Sequence, residues 1–595
     1  CGIFVADYAS GAYALGAGDV DGDGLPDLYF TANIGPNHLY RNKGNYQFED
    51  ITERAGVAAP DGWKTVVTMA DVNGDGHLDI YVSAVSYLGE KGHNVLFINN
   101  GNGTFTDRTK EYGLEFAGYS TQAVFFDYDG DGDLDMYLLN SSTHMERRMG
   151  QPDRASAPNA ASADRLYRND GNHFVDVSAA AGIHDSDHGV EGFGLGAVAT
   201  DVNLDGCPDL YIANDFQEND FLYINNCDGT FTESITRATG HTSRFSMGVD
   251  SADINNDGRP DIFVADMLPE REDVLKSSAS SEDYNLFNLR LRAGYHPQYS
   301  RNTLQLNRGE VSLGRSASDG RDAPARAVPT FSEIGYLAGV FATDWSWAPL
   351  FADLDNDGWK DLFITSGIYR RPNDLDYIAY ISSEAVQASL AKGITDENLP
   401  LVKRMPHVPL ANHAFRNNGA PSAGLTFTNM AEAWGLAEPG FANGAAYVDL
   451  NNSGALDLVV NRINAPAAIY RNHARTLNAN GYLTVELRGA EGNTSGIGAR
   501  VMVKEQGMTQ VLEQNLTRGF ESSMDPRLHF GVGSAKQIDS LVVVWPDRRT
   551  QVMTGVAANR LITVWQDSAS IRGRATGDGQ RTAGDGRRAT GDGKY

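Results

Sequence analysis

The stretch Asp19–Asp27, DVDGDGLPD, decides how this chain is to be read. It places carboxylates at Asp19, Asp21, Asp23 and Asp27, with Gly22 and Gly24 between them. A single stretch of this kind is either an acidic turn or a cation cage. Six further copies follow: DVNGDGHLD (71–79), DYDGDGDLD (127–135), DVNLDGCPD (201–209), DINNDGRPD (253–261), DLDNDGWKD (353–361) and DLNNSGALD (449–457). An ordinary turn has no reason to recur seven times with aspartate always at its ninth position.

Working outward, each copy is preceded by a short small-and-apolar run, such as TVVTMA or TQAVFF, and followed by an apolar strand such as LYFTAN or IYVSAV. A third strand ends in an Asn turn (HLYRNKG, VLFINNG, RLYRNDG), and an F-x-D/E strand with a Gly-apolar pair closes the unit. Four short strands, here A to D, repeated seven times with turn signals between them, predict an all-β fold. The expected architecture is a seven-bladed β-propeller over residues 1–474, followed by a small β-rich domain over 478–566 and a tail over 567–595. The closest copies set a repeat of 52 residues. Longer intervals hold insertions at 141–164, 267–301 and 367–412, between strands B and C, and at 310–330, in a C–D turn. The third insertion contains one expected helix, DLDYIAYISSEAVQASLAKG, with Ile378, Ile381, Ala385 and Ala388 at helical spacing. The fourth reads as a polar loop.

The seventh unit has no F-x-D strand, and the chain opens on CGIFVADY, which aligns with the ends of other D strands. The expectation is a missing strand that lies in a precursor or comes from another molecule. The rival reading makes Cys1 a lipid-bearing first residue; the absence of a flexible tether after it favours the first.

Within the loops, position 1 is Asp19, Asp71, Asp127, Asp201, Asp253, Asp353 and Asp449. Position 3 is Asp21, Asn73, Asp129, Asn203, Asn255, Asp355 and Asn451, and position 5 is Asp23, Asp75, Asp131, Asp205, Asp257, Asp357 and Ser453. Position 6 is Gly throughout, and position 9 is Asp27, Asp79, Asp135, Asp209, Asp261, Asp361 and Asp457. This matches the first part of an EF-hand loop, in which positions 1, 3 and 5 give side-chain oxygens and position 7 a backbone carbonyl. The carbonyls would be those of Leu25, His77, Asp133, Cys207, Arg259, Trp359 and Ala455. An all-oxygen donor set selects a hard cation, with Ca2+ favoured over Mg2+. Up to seven calcium ions are expected, structural rather than catalytic, with the Ser453 loop the weakest.

The formal charge of −28 argues against nucleic acid as a partner. No apolar run reaches the length of a membrane span. Cys207 lies in an A–B turn and Cys227 in the C–D turn of the same unit, so a disulfide is reasonable there and implies an oxidising compartment. The three large insertions fall on the face opposite the calcium loops, which makes that face the expected recognition surface. Candidates on it are His184 and His188 in HDSDH, for a transition metal or as a solvated loop. Trp345 and Trp347 are read as a sugar-stacking platform or as buried groups at the channel mouth. Tyr369, Arg370 and Arg371 are read as a site for an acidic ligand or as partners of the acidic body. Sequons at Asn102, Asn140, Asn493 and Asn515 allow glycosylation.

The repeats resemble the FG-GAP/VCBS class of calcium-binding propeller repeats. GIGARVMV (496–503), RGFESSMDPRLHFGVG (518–533), IDSLVVVWPDRRTQ (538–551) and VAANRLITV (556–564) resemble the ASPIC/UnbV domain. The stretch TDWSWAPLFADLDNDGWKDLFITSGIYRRPNDLDY is similar to bacterial members of the cartilage-acidic-protein-like family. The resemblance implies a secreted or surface-attached, calcium-binding, non-catalytic protein with a protein or glycan ligand. The tail RGRATGDGQRTAGDGRRATGDGKY is a low-complexity repeat. With the incomplete unit, it makes a self-assembling filament or homo-oligomer the second reading. No HExxH or GxSxG motif supports an enzyme, the third reading.

Overall fold

The computed structural model describes residues 12–59, 61–86, 91–142, 160–184, 192–216, 218–279, 284–311, 328–390, 399–419 and 425–569. Within them the chain is mostly β. Each of the first six units forms an antiparallel sheet in the order A–B–C–D, and the seventh one in the order A–B–C among the described residues. In the first sheet these strands are Ala12–Gly18, Asp27–Ala32, His38–Asn42 and Phe48–Asp50. The seventh holds three described strands, Ala442–Val448, Asp457–Arg462 and Ala468–Tyr470. In every sheet the residue before the loop pairs with the aspartate at position 9, as in Gly18↔Asp27, Ala252↔Asp261 and Val448↔Asp457. The acidic loop is therefore always the A–B turn.

The sheets stand in a ring. Each strand A packs on strand A of the next sheet, and Ala442–Val448 returns to Ala12–Gly18. The asparagine ending strand C explains how neighbours interlock. In six of the seven sheets its side chain donates to the position-2 carbonyl of a loop on an adjacent sheet, as in Asn99 to Val20 (2.8 Å), Asn307 to Val202 (2.9 Å) and Asn472 to Leu354 (2.7 Å). Asn42 makes the same bond to Leu450 (2.8 Å), which joins the first sheet to the last. Strands A and B are buried along nearly their whole length, while strand D shows its aspartate to solvent in the first three sheets (Asp50, Asp107 and Asp176).

Two sheets build the C-terminal unit. Gly481–Arg488 lies between Leu528–Gly533 and, in parallel, Arg560–Trp565. The other runs Met508–Glu513, Arg500–Glu505, Gln537–Val544 and Thr550–Ala557. Leu483, Val485, Val501, Phe530, Leu541 and Trp545 form its core. A hairpin, Thr517–Arg518 and Ser522–Ser523, leaves this unit and joins the ring itself. Ser523 pairs with Gly16 of the first sheet, and Gly519 bridges to Val249 of the fifth. Phe520 packs on Trp347 at 5.0 Å between ring centroids, and Phe520 and Met524 belong to the ring's core. The hairpin thus occupies the space between the inner strands.

Two expectations are corrected. The described part of the 367–412 insertion has three helices where one was expected: the expected run is divided into Leu375–Ile381 and Glu384–Leu390, parted at Ser382–Ser383, and Leu399–Lys403 follows. Asp374 caps the first, accepting from Tyr377 N. Adjacent serines compete for backbone groups, which breaks the run. The 310–330 segment is not all loop: Glu310↔Pro329 and Val311↔Val328 extend strands C and D into it. Residues 1–11 and the 570–595 tail, on which the incomplete-strand, lipid-anchor and filament readings fall, lie outside the described residues.

Candidate metal centres

The loops share one internal geometry, set by backbone N–H groups held on carboxylates. At position 1, Asp19 accepts from Asp23 N (3.2 Å) and Gly24 N (2.7 Å), and Asp253 from Asp257 N (3.0 Å) and Gly258 N (2.8 Å). At position 5, Oδ1 accepts from the position-7 N–H, as in Asp75 with His77 and Asp357 with Trp359, both at 3.0 Å. The position-6 glycine makes this possible: its φ runs from +82° at Gly454 to +101° at Gly132, a conformation other residues resist. At position 9, one oxygen accepts from the position-2 N–H and the other from the strand-C asparagine N–H, at 3.0 and 2.7 Å for Asp27.

These bonds gather acidic oxygens from apart in the chain. Carboxylate oxygens of Asp19, Asp21 and Asp27 lie within 4.8 Å of one another, as do those of Asp127, Asp129 and Asp135 and those of Asp353, Asp355 and Asp357. Desolvation first, then neighbouring carboxylates, pushes up Asp19, Asp27, Asp127, Asp129, Asp135, Asp353 and Asp355. Asp27 and Asp353 rise to about 7 and Asp135 to about 9. Such a cluster is costly unless a cation neutralises it. Asn451 Oδ1 and Asp133 Oδ1 are buried without a hydrogen-bond partner. Donor set, convergence and unpaired oxygens fit a hard cation.

Cys207 and Cys227 form a disulfide, so neither sulfur is free to bind a metal beside Asp205.

The C-terminal unit covers the loop face, which the sequence did not disclose. Arg527 donates to Gly24 O (3.4 Å) and Asn452 Oδ1 (2.9 Å), and Thr494 Oγ1 to Asp71 Oδ2. Gly492 lies against Gly132 and Asp133 so closely that a Cβ would stand 2.6 Å from the Gly132 carbonyl. Glu513 accepts from Asp201 N (3.2 Å), Arg500 donates to Gly258 O (2.7 Å), and His529 meets Asn356 (2.8 Å). All seven loops are touched. A cavity of about 490 Å3 remains beside Asp19, Asp71 and Asp449, roofed by Tyr482, Arg488 and Thr494.

On the opposite face the outcome is mixed. Trp345 and Trp347 are buried, and Trp347 Nε1 donates to Gly367 O (2.7 Å), so they offer no stacking platform. Arg371 is buried in an ion pair with Asp344 (2.7 Å), which removes it as a ligand group. Tyr369 packs edge-on to His407 and Phe441, with the Arg370 guanidinium 5.3 Å from its ring. His184 packs against Phe221 and Tyr223, and His188 lies outside the described residues. Of the sequons, Asn102 is exposed, while Asn140, Asn493 and Asn515 are buried.

An aromatic patch was missed. Tyr299 stacks on Phe287 (5.7 Å), Tyr336 on Phe341 (4.2 Å), and Arg301 lies over Tyr336 (4.3 Å) while pairing with Glu333 (2.9 Å). Tyr336 is 56 % exposed and Tyr284 81 % exposed. The signal was YNLFNLRLR (284–292), whose apolar residues outnumber what one buried helix face needs.

Residues 19–82, 84–138 and 201–264 match the FG-GAP-like repeat, and residues 489–571 match ASPIC and UnbV. The chain carries FG-GAP-like repeats followed by an ASPIC/UnbV segment. Cartilage acidic protein 1 of Mus musculus is 26 % identical over 222 residues, covering 35 % of this chain and 30 % of that protein. The Homo sapiens protein of the same name is 25 % identical over 217 residues, with 35 % and 29 % covered. The match therefore spans under a third of these relatives. Among solved structures, an Agrocybe aegerita lectin that recognises non-reducing terminal N-acetylglucosamine aligns with a TM-score of 0.36 and 14 % identity, covering 78 % of this chain and 94 % of that one. The V. cholerae biofilm matrix protein Bap1 aligns with a TM-score of 0.25 and 10 % identity, covering 94 % and 82 %. No helix among the described residues is long and apolar enough to cross a membrane.

Proposed function

We propose that this is an extracellular, non-catalytic binding protein in which calcium ions hold the A–B loops of a seven-bladed propeller, and that its ligand is taken on the opposite face. The observation that carries the reading is the sevenfold recurrence of one oxygen-lined loop, held by the same backbone bonds each time. Positions 1, 3, 5 and 9 and the position-7 carbonyl would hold the ion. Its contribution is charge: seven divalent ions change the formal charge from −28 to −14 (−28 + 14). The disulfide supports an oxidising compartment. The C-terminal unit already occupies the loop face, which leaves the inserted face, with Tyr299, Arg301 and Tyr336, for a protein or glycan.

Calcium titration of the EDTA-stripped full chain tests the metal reading. Saturable uptake approaching seven ions per chain is expected, weakest at Asp449–Asp457, with a rise in melting temperature that magnesium does not match. No uptake, with identical melts in EDTA and calcium, overturns it. Glycan-array and surface-protein binding of the parent and Tyr336→Ala tests the face; binding unaffected by Tyr336→Ala would move the site elsewhere.

A further inference from the structure

In five of the loops the outer oxygen of the position-5 carboxylate is held in one of two ways, and in the fifth Arg259 at position 7 adds a bond to the same atom of Asp257 (3.3 Å). In the second, fourth and fifth loops position 3 is asparagine, and its amide donates to that oxygen: Asn73 to Asp75 Oδ2 (2.9 Å), Asn203 to Asp205 Oδ2 (2.8 Å), Asn255 to Asp257 Oδ2 (3.1 Å). In the first and sixth loops position 3 is aspartate, which has no proton to give. There an arginine from strand C supplies the bond to the same atom: Arg41 to Asp23 Oδ2 (3.0 Å) and Arg416 to Asp357 Oδ2 (2.9 Å). Each guanidinium also pairs with the position-3 carboxylate, Asp21 at 2.5 Å and Asp355 at 2.9 Å. In the asparagine loops the strand-C position is aliphatic: Ile98, Ile224 and Leu306.

The two remaining loops form neither hold: the seventh has no position-5 carboxylate, and the third departs from the pattern, since Asp131 is present but Arg168 turns to Asp170 instead. In the seventh, Ser453 leaves no position-5 carboxylate to hold. Asn451 Oδ1 is then buried without a partner, and Arg471 lies over the Tyr46 ring (5.3 Å). In the third, position 3 is Asp129 and the strand-C Arg168 is drawn to Asp170 (2.7 Å).

We infer that the position-3 asparagine amide and the strand-C arginine are interchangeable positioning groups, which fix the position-5 carboxylate so that its inner oxygen faces the ion. The inference rests on the metal reading above. It differs from a charge-only account in sign. If net loop charge alone set affinity, Arg41→Ile would tighten binding by removing a positive charge, and Asp21→Asn would weaken it. If the outer oxygen must be held, Arg41→Ile weakens the first site by roughly 10–100-fold, the usual effect of losing a group that orients a metal ligand. Adding Asp21→Asn to Arg41→Ile then restores binding, because the new amide takes over the bond. A fold-level defect would not be repaired by deleting a further ligand charge.

The test is equilibrium dialysis of the full chain, at a free calcium just saturating the parent. Arg41→Ile is expected to bind one ion fewer, and the Asp21→Asn/Arg41→Ile double variant to regain it. The reciprocal pair works in the second loop: Asn73→Asp loses an ion and Asn73→Asp/Ile98→Arg regains it. If Arg41→Ile does not fold, the second-loop pair decides. An unchanged or higher count in the single variants, or doubles no better than singles, overturns the inference while leaving the metal reading standing. A parent that binds no calcium overturns both.

Discussion

Glu521 sits at the tip of the C-terminal hairpin with φ at +52°. It is fully buried, and neither carboxylate oxygen has a hydrogen-bond partner. Burial alone lifts its carboxyl well above the ordinary range. An acid raised in this way keeps in the fold a proton that the unfolded chain releases, so stability is full below the ordinary glutamate value of about 4.3 and drains as pH climbs towards the folded value. Glu521→Gln removes that drain. In saturating calcium, the variant's stability relative to the parent is expected to grow between pH 5 and 8, by up to about 1.4 kcal/mol per pH unit. A difference that stays flat with pH would refute the assignment. The loop aspartates need no such inference to be seen: Asp27 and its six counterparts stand at one spacing, and that spacing alone exposed them. The two-way hold on position 5 was hidden, because Arg41 and Asp23 belong to different strands and only coordinates bring them together.

At the scale of elements, the hairpin is the unexpected part. Its strands are two residues each, with no periodicity to read, and their partners lie hundreds of residues away. RGFESS therefore passes for a polar turn, although it is interior. Strands A to D were legible because each pairs with its sequence neighbour and repeats. The hairpin is anchored by Arg518, whose buried guanidinium donates to Asp250 Oδ1 (2.9 Å) and to Ser251 O (2.8 Å). Removing one partner leaves the other charge buried alone, at a cost of about 3–5 kcal/mol. Arg518→Met is expected to lose about that much in urea unfolding, and Asp250→Leu/Arg518→Met to recover much of it. A single variant as stable as the parent would show that the pair does not hold the hairpin. The divided helix in the 367–412 insertion shows the opposite limit of legibility: a periodic apolar pattern continued across Ser382–Ser383, but local backbone competition did not.

Across the whole molecule, the acidic loops are the surface on which the C-terminal unit rests. Ion loss would therefore act on both units: carboxylates that repel one another would disturb Asp71, Asp201 and Asp353 together with Thr494, Glu513 and His529 above them. Chelation is expected to lower the melting temperature and to speed amide hydrogen exchange at residues 517–523, far from any loop in sequence. Exchange there that is identical with and without calcium would mean that the two units are held together independently of the ions. The ring was legible from one repeated turn; the lid was not, since nothing in its own strands records what they rest on.

The hairpin also sets an order of events during biosynthesis. Ser523 Oγ accepts from Met69 N across 454 residues, so the inner wall of the second sheet lacks this partner until residue 523 has left the ribosome. At about 5–20 residues per second, that interval is on the order of half a minute to a minute and a half. Throughout it, unpaired inner strands stay open to the wrong neighbour. Maturation of the ring must wait for the hairpin, and a nascent chain cut short before it cannot complete the ring's interior.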